Sequence, residues 1–113
     1  MIRRILQEKI DGYRDDLARQ YHDHFLFEKK ELLDRAFSSG AVKSFAELGC
    51  VWGVDCAYGL YAIEKFRPSR AVMVDTHWTD TAIKRCAQYS NITRIEDNFG
   101  NADVPAKIGR VDT

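Results

Sequence analysis

The stretch FAELGCVWGVDCAYG, residues 45–59, decides the fold. Its first four residues continue an apolar run that starts near Val42. That run breaks at Gly49 and Gly53, and a helical pattern follows from Val54. An acid, Glu47, and two glycines therefore stand where a strand hands over to a helix. Glycines at such a turn let the backbone come close to a ligand. Val51 stands between them, where a third glycine would complete a glycine-rich loop. Its branched side chain either points away from a ligand or narrows its site.

Working outward, VKSFAELG reads as a strand and VDCAYGLYAIEKF (54–66) as a helix apolar on most sides, stopped at Pro68. AVMVD (71–75) is a short, continuous, valine-rich run of the kind buried in parallel sheets. WTDTAIKRCAQY (78–89) puts Trp78, Ala82, Ile83, Cys86, Ala87 and Tyr89 on one helical face. NITRIED is a third strand, NFGNADVPAKIG is loop-like, and RVDT reads as the approach to a fourth strand. Strands alternating with helices of this length predict right-handed crossovers and an α/β fold with a parallel sheet.

Two helices are expected ahead of this unit. Ile2, Ile5, Leu6, Ile10, Tyr13, Leu17 and Tyr21 recur at helical spacing over about residues 2–20, with Gly12 a possible bend. FEKKELLDRAF (27–37) forms the second, closed by SSG with Gly40 in the left-handed terminal position. The division is a helical segment over 1–40 and a sheet-containing segment over 41–113. The pattern stops where a fourth strand begins, leaving sheet edges unpaired, so Thr113 is expected to be a truncation point.

Composition narrows the function. The 113 residues suffice for one small domain. Seventeen basic residues balance seventeen acidic ones, which provides no overall field for nucleic acid. No apolar run reaches about 18 residues, and the N-terminus lacks a signal-peptide core, so no membrane span and a cytoplasmic location are expected. Cys50, Cys56 and Cys86 are odd in number and form no C-x-x-C pair, pointing to neither a disulfide framework nor zinc. His22 and His24 sit two apart, facing different sides of a helix, and no third ligand accompanies them, so no metal is expected. Tyr13, Tyr21, Trp52 and Trp78 read as packing residues.

In open parallel sheets, ligands bind outside the carboxyl ends of the strands. Here each such end carries an acid. Glu47, Gly49, Cys50 and Gly53 follow the first strand, Asp75, Thr76 and His77 the second, and Glu96, Asp97 and Asn98 the third. Asp75 lies 22 residues beyond Gly53, the spacing at which an acid accepts the hydroxyls of a ribose. A carboxylate after the third strand can accept from an exocyclic amine such as that of adenine. The set suits a nucleoside ligand with a free ribose diol. A dinucleotide loop needs G-x-G-x-x-G; from Gly49 this sequence offers Val51 and Val54 at the other two positions.

FAELGCVWG resembles the first motif of class I S-adenosylmethionine-dependent methyltransferases, an acid followed by G-x-G-x-G. Glu47, Gly49 and Gly53 match, and Val51 replaces the middle glycine. AVMVD with THW looks like that family's second motif and ITRIEDNF like its third, so the resemblance covers about residues 42–100. It implies a Rossmann-like sheet and S-adenosyl-L-methionine as cofactor. The Gly49–Gly53 loop, with Cys50 in it, would lie against the methionine part and ribose, and Glu47 near the ammonium end. Asp75 would hold the ribose hydroxyls, Thr76 and His77 would lie along the adenine, and Asp97 with Asn98 would meet its amine. The implied reaction is methyl transfer to an unidentified, small-molecule acceptor, with no catalytic side chain assigned. The rival readings are an NAD-dependent oxidoreductase or epimerase half-domain and a non-catalytic module of the same fold.

Overall fold

The computed structural model describes residues 2–113, with side chains described throughout except for residues 15–27. Tyr21, His22, His24 and Leu17 thus lie outside the residues whose side chains are described. One helix, α1 (Ile2–Phe37), replaces the two expected. The reason is local: between Tyr21 and Phe27 the sequence holds neither proline nor glycine, so nothing there ends a helix. Gly12 is carried inside it. Gly40 follows in the left-handed conformation expected of it, with φ 70°.

Three strands form the sheet: β1 (Ser44–Leu48), β2 (Arg70–Asp75) and β3 (Ile92–Glu96). All pair in parallel with β2 central, Ser44 opposite Arg70 and Ala71 opposite Ile92. The helices α2 (Ala57–Phe66) and α3 (Asp80–Ala87) supply the crossovers. The turn after β1 takes up three residues that the apolar pattern assigns to the helix, so α2 begins at Ala57. Thr79 caps α3, its hydroxyl accepting from the Ala82 N–H at 3.1 Å. A short helix, α4 (Val104–Ile108), occurs in the segment expected to be loop, with Pro105 in its first turn.

The valine-rich run in β2 is explained by burial on both faces. Ala71 and Met73 face a core with Phe37, Phe45, Leu60, Ile63, Trp78, Ala82 and Cys86, under α1, α2 and α3. Val72 and Val74 face Val104, Ile95 and Ile108, under α4. Helices therefore cover both faces of a parallel sheet, an α/β arrangement of Rossmann-like kind. No helix of the described residues is long and apolar enough to cross a membrane.

After α4 the chain returns to β1. The Thr113 N–H donates to the Ser44 carbonyl at 3.3 Å, and the Thr113 carbonyl accepts from the Ala46 N–H at 2.9 Å. That alternation is the parallel ladder pattern. It uses the edge of β1 that β2 leaves open. The Asp112 carboxylate reinforces it by accepting from the Lys43 and Ser44 N–H groups at 2.7 and 3.1 Å. The spatial order is thus Asp112–Thr113, β1, β2, β3, and the direction of winding reverses at β1.

Candidate functional site

A reversal of winding opens a crevice at the carboxyl ends of the strands on either side of it. At that place the structure has a cleft of about 500 Å³ between α1, β1, the first turn of α2 and Thr113. Phe45, Ala46, Glu47, Leu48 and Gly49 form its β1 side, so it runs along the strand to its carboxyl end.

The turn from β1 to α2 borders this cleft and is tied down from below. Gly49 N–H donates to the Val74 carbonyl at 2.8 Å, Asp55 N–H to the Val51 carbonyl at 2.8 Å, and Cys56 N–H to the Cys50 carbonyl at 2.9 Å. Val51 N–H donates to Oδ2 of Asp75 at 2.8 Å. Thr79 O–H donates to Oδ1 of Asp55 at 2.6 Å, tying the turn to the start of α3. Gly49 and Gly53 have φ of 76° and 75°, a conformation that side chains resist. Val51 is not among the positive-φ residues, and its side chain is 2% exposed, packed in the core with Cys50 and Cys56. Val51 therefore points away from the cleft, and the position makes no demand for glycine. Asp55 and Cys56 do adopt positive φ, 46° and 69°, without being glycine.

Cys50, placed by sequence among the cofactor-contacting residues, is completely enclosed; its thiol faces the Val74 carbonyl. It supports the loop from inside. Trp52 shows the converse departure. Expected to pack, it is 56% exposed on the loop between the two glycines, whereas Trp78 is buried and donates to the Ile95 carbonyl at 3.0 Å.

Glu47 is half-buried as a residue, but its Oε2 is enclosed and has no hydrogen-bond partner. The oxygen lies against Gly59, where an added Cβ would stand 2.5 Å from it and 2.3 Å from Met73 Cε. A glycine in α2 is what lets the carboxyl fit there. Burial pushes the Glu47 carboxyl up to about 7, against the pull of the Gly59 N–H and of Lys29 on α1.

Asp75 is 8% exposed. Besides Val51 N–H on Oδ2, its Oδ1 faces His77 N–H at 3.3 Å and the Thr76 hydroxyl at 3.4 Å. These last contacts are long, so Oδ1 retains capacity to accept. Thr76 and His77 are exposed just beyond it. After β3, Asp97 accepts from Asn98 N–H at 2.8 Å, Asn101 Nδ2 at 2.7 Å and Lys107 Nζ at 2.9 Å. Lys107, then the two asparagines, hold its carboxyl below the usual carboxylate range. Asp97 N–H donates to the Asp75 carbonyl at 3.0 Å, fixing the third loop to the second.

Glu47, Gly49, Gly53, Asp75, Thr76, His77, Asp97 and Asn98 thus all lie along one edge of the sheet. Sequence reading missed the wall of the cleft supplied by α1. Lys29, Leu32, Leu33 and Ala36 recur there at helical spacing, a signal that the sequence reading took only as a helix over residues 27–37. It also missed Asn101 and Lys107, which belong to the unexpected α4 segment. Among the described residues no group of three or more His, Cys, Asp or Glu side chains is arranged to hold a metal ion. No protein-family model, curated protein or solved structure matches the chain.

Proposed function

We propose that this chain binds S-adenosyl-L-methionine and belongs to an enzyme that transfers its methyl group to a small-molecule acceptor. The observation that carries this reading is the pairing of Thr113 with β1 on the edge opposite β2. It places the Glu47–Gly53 turn at a reversal of winding, the position where open α/β sheets bind ligands. The positive-φ glycines at 49 and 53 support close backbone approach. Glu47 lines the cleft beside the turn, where its carboxyl would meet a cationic or donor group of a ligand. Asp75 would accept from ribose hydroxyls through Oδ1, with Thr76 and His77 along the base. Asp97 and Asn98 would meet the base from the third loop. Three free, buried thiols fit a reducing, cytoplasmic setting.

The cofactor supplies a methyl group already activated by its sulfonium. The chain's own task is to bind and orient the reactants and exclude water. Glu47 would hold the ammonium end, and the tethered turn would fix the position of the methionine part.

Amide spectra of the ¹⁵N-labelled chain test this, because they detect weak as well as tight binding. S-adenosylhomocysteine is expected to shift the Gly49, Gly53, Thr76, His77 and Asn98 amides, and NAD to leave them in place. Shifts with NAD alone would replace this reading by an oxidoreductase-type one. Shifts with neither would favour a non-catalytic module, the reading to which the internally bonded Asp97 carboxylate lends weight.

A further inference from the structure

Resting on the methyltransferase reading, we propose that the cleft between α1 and β1 takes the methyl acceptor, and that this acceptor has an uncharged, apolar body. The volume, about 500 Å³, lies within the range of small-molecule sites, roughly 300–1,000 Å³. Its walls are Leu32, Leu33 and Ala36 of α1, Leu48 of β1, and Val54 and Tyr58 at the entry to α2.

Among the described residues two charged side chains, Lys29 and Glu47, reach the cleft. Lys29 Nζ stands 5.0 Å above the Tyr58 ring, and its charge acts on the Glu47 carboxyl. Glu47 faces the Gly59 N–H and, in the reading above, the cofactor. Among the residues whose side chains are described, no arginine lines the cleft to grip a phosphate or a carboxylate in two-pronged fashion. Meanwhile Leu32 is 63% and Leu48 51% exposed. Apolar surface of this kind gains about 25 cal/mol for each Å² removed from water, which an apolar guest supplies and a charged one does not.

Position separates this guest from the nucleoside. The cleft lies on the Thr113 side of β1, whereas Asp75, Thr76, His77, Asp97 and Asn98 follow β2 and β3 on the other side. Both can be held at once, with the Glu47–Gly49 corner between them.

The test titrates the full chain with 1-naphthol, an uncharged apolar probe, and with 1-naphthyl phosphate, its charged counterpart, reading amide and methyl shifts. Naphthol is expected to move Leu32, Leu33, Leu48 and Gly49, and the phosphate ester to bind about tenfold more weakly or worse. Leu32→Glu, at an exposed position that tolerates charge in the folded chain, is expected to weaken naphthol about tenfold. It should leave the S-adenosylhomocysteine shifts at Thr76 and Asn98 intact. Ala36→Trp, which fills the cleft without adding charge, should do the same. The proposal is overturned if naphthol shifts are confined to the exposed Ile2–Tyr13 turns of α1. It is equally overturned if the phosphate ester binds as well as naphthol, or if both variants bind naphthol like the parent. Naphthol binding in the cleft without any S-adenosylhomocysteine shift would keep the apolar site and remove the methyltransferase reading instead.

Discussion

The carboxylate of Asp75 accepts the Val51 backbone N–H at 2.8 Å, joining the end of β2 to the glycine turn after β1. An acid at the end of the second strand therefore does structural work before any ligand is considered. Because the residue is buried, its loss leaves the Val51 N–H without a partner. A hydrogen bond to a charged group contributes about 1.5–3 kcal/mol. Asp75→Ala is expected to lower stability in urea unfolding by about that amount and to speed hydrogen exchange at the Val51 amide. Asp75→Asn should cost less, since its amide oxygen can still accept.

Val51 makes the second prediction. Its side chain is 2% exposed and its backbone does not need glycine's freedom. Val51→Gly, which would restore the missing glycine of the loop motif, is expected to destabilise the chain by about 2–3 kcal/mol. The loss combines a buried side chain with added backbone entropy in the unfolded state. No gain in S-adenosylhomocysteine binding is expected from it. A gain, measured by the same amide shifts, would mean that Val51 narrows the site.

The fold was legible wherever a residue pattern admits one environment. AVMVD can be buried on both faces or on none, and β2 is the central strand. The glycines at 49 and 53 mark a turn, and both take positive φ. The misses share a different cause. The long α1 hides a boundary that does not exist, because the segment around Tyr21–Phe25 contains no breaker. The helix α4 is five residues long, too short to show a period. With it came Asn101 and Lys107, the partners that tie the Asp97 carboxylate into the third loop. Cys56 gave no sign that a non-glycine would start α2 in a left-handed conformation. The acid pattern of the site was readable; which oxygen already has a donor depends on contacts across the sheet.

The three cysteines supply a third prediction. Cys50 and Cys56 are fully buried and Cys86 nearly so, and all are free thiols. Burial and the neighbouring Cys56 push the Cys86 thiol up to about 12, and the Cys50 neighbour with burial raises the Cys56 thiol as well. The thiolate is the reactive form. At pH 8 the folded chain is expected to react negligibly with an aromatic disulfide reagent, while unfolding in guanidinium should release three equivalents. Rapid reaction of one thiol in the folded chain would show that the glycine turn opens readily.

Glu47 gives the stability of the chain an uncommon pH dependence. Its carboxyl titrates near 4.5 when unfolded and at about 7 when folded, because burial disfavours its charge. Between those values the folded chain retains a proton that the unfolded chain has released. Stability therefore falls as pH rises from about 4.5 to 7 and levels off above. At about 1.4 kcal/mol per pH unit the fall is on the order of 3 kcal/mol. Asp34, Asp97 and Asp112 act in the opposite sense, but their carboxyls are held below 3.8 and contribute in the more acidic window. Glu47→Gln keeps the shape of the group and removes its ionisation. It is expected to abolish the fall between pH 4.5 and 7, leaving the variant more stable than the parent at pH 8. Urea unfolding of both proteins at half-unit pH steps measures this. Parallel curves would show that the Glu47 carboxyl ionises in the fold as readily as in water.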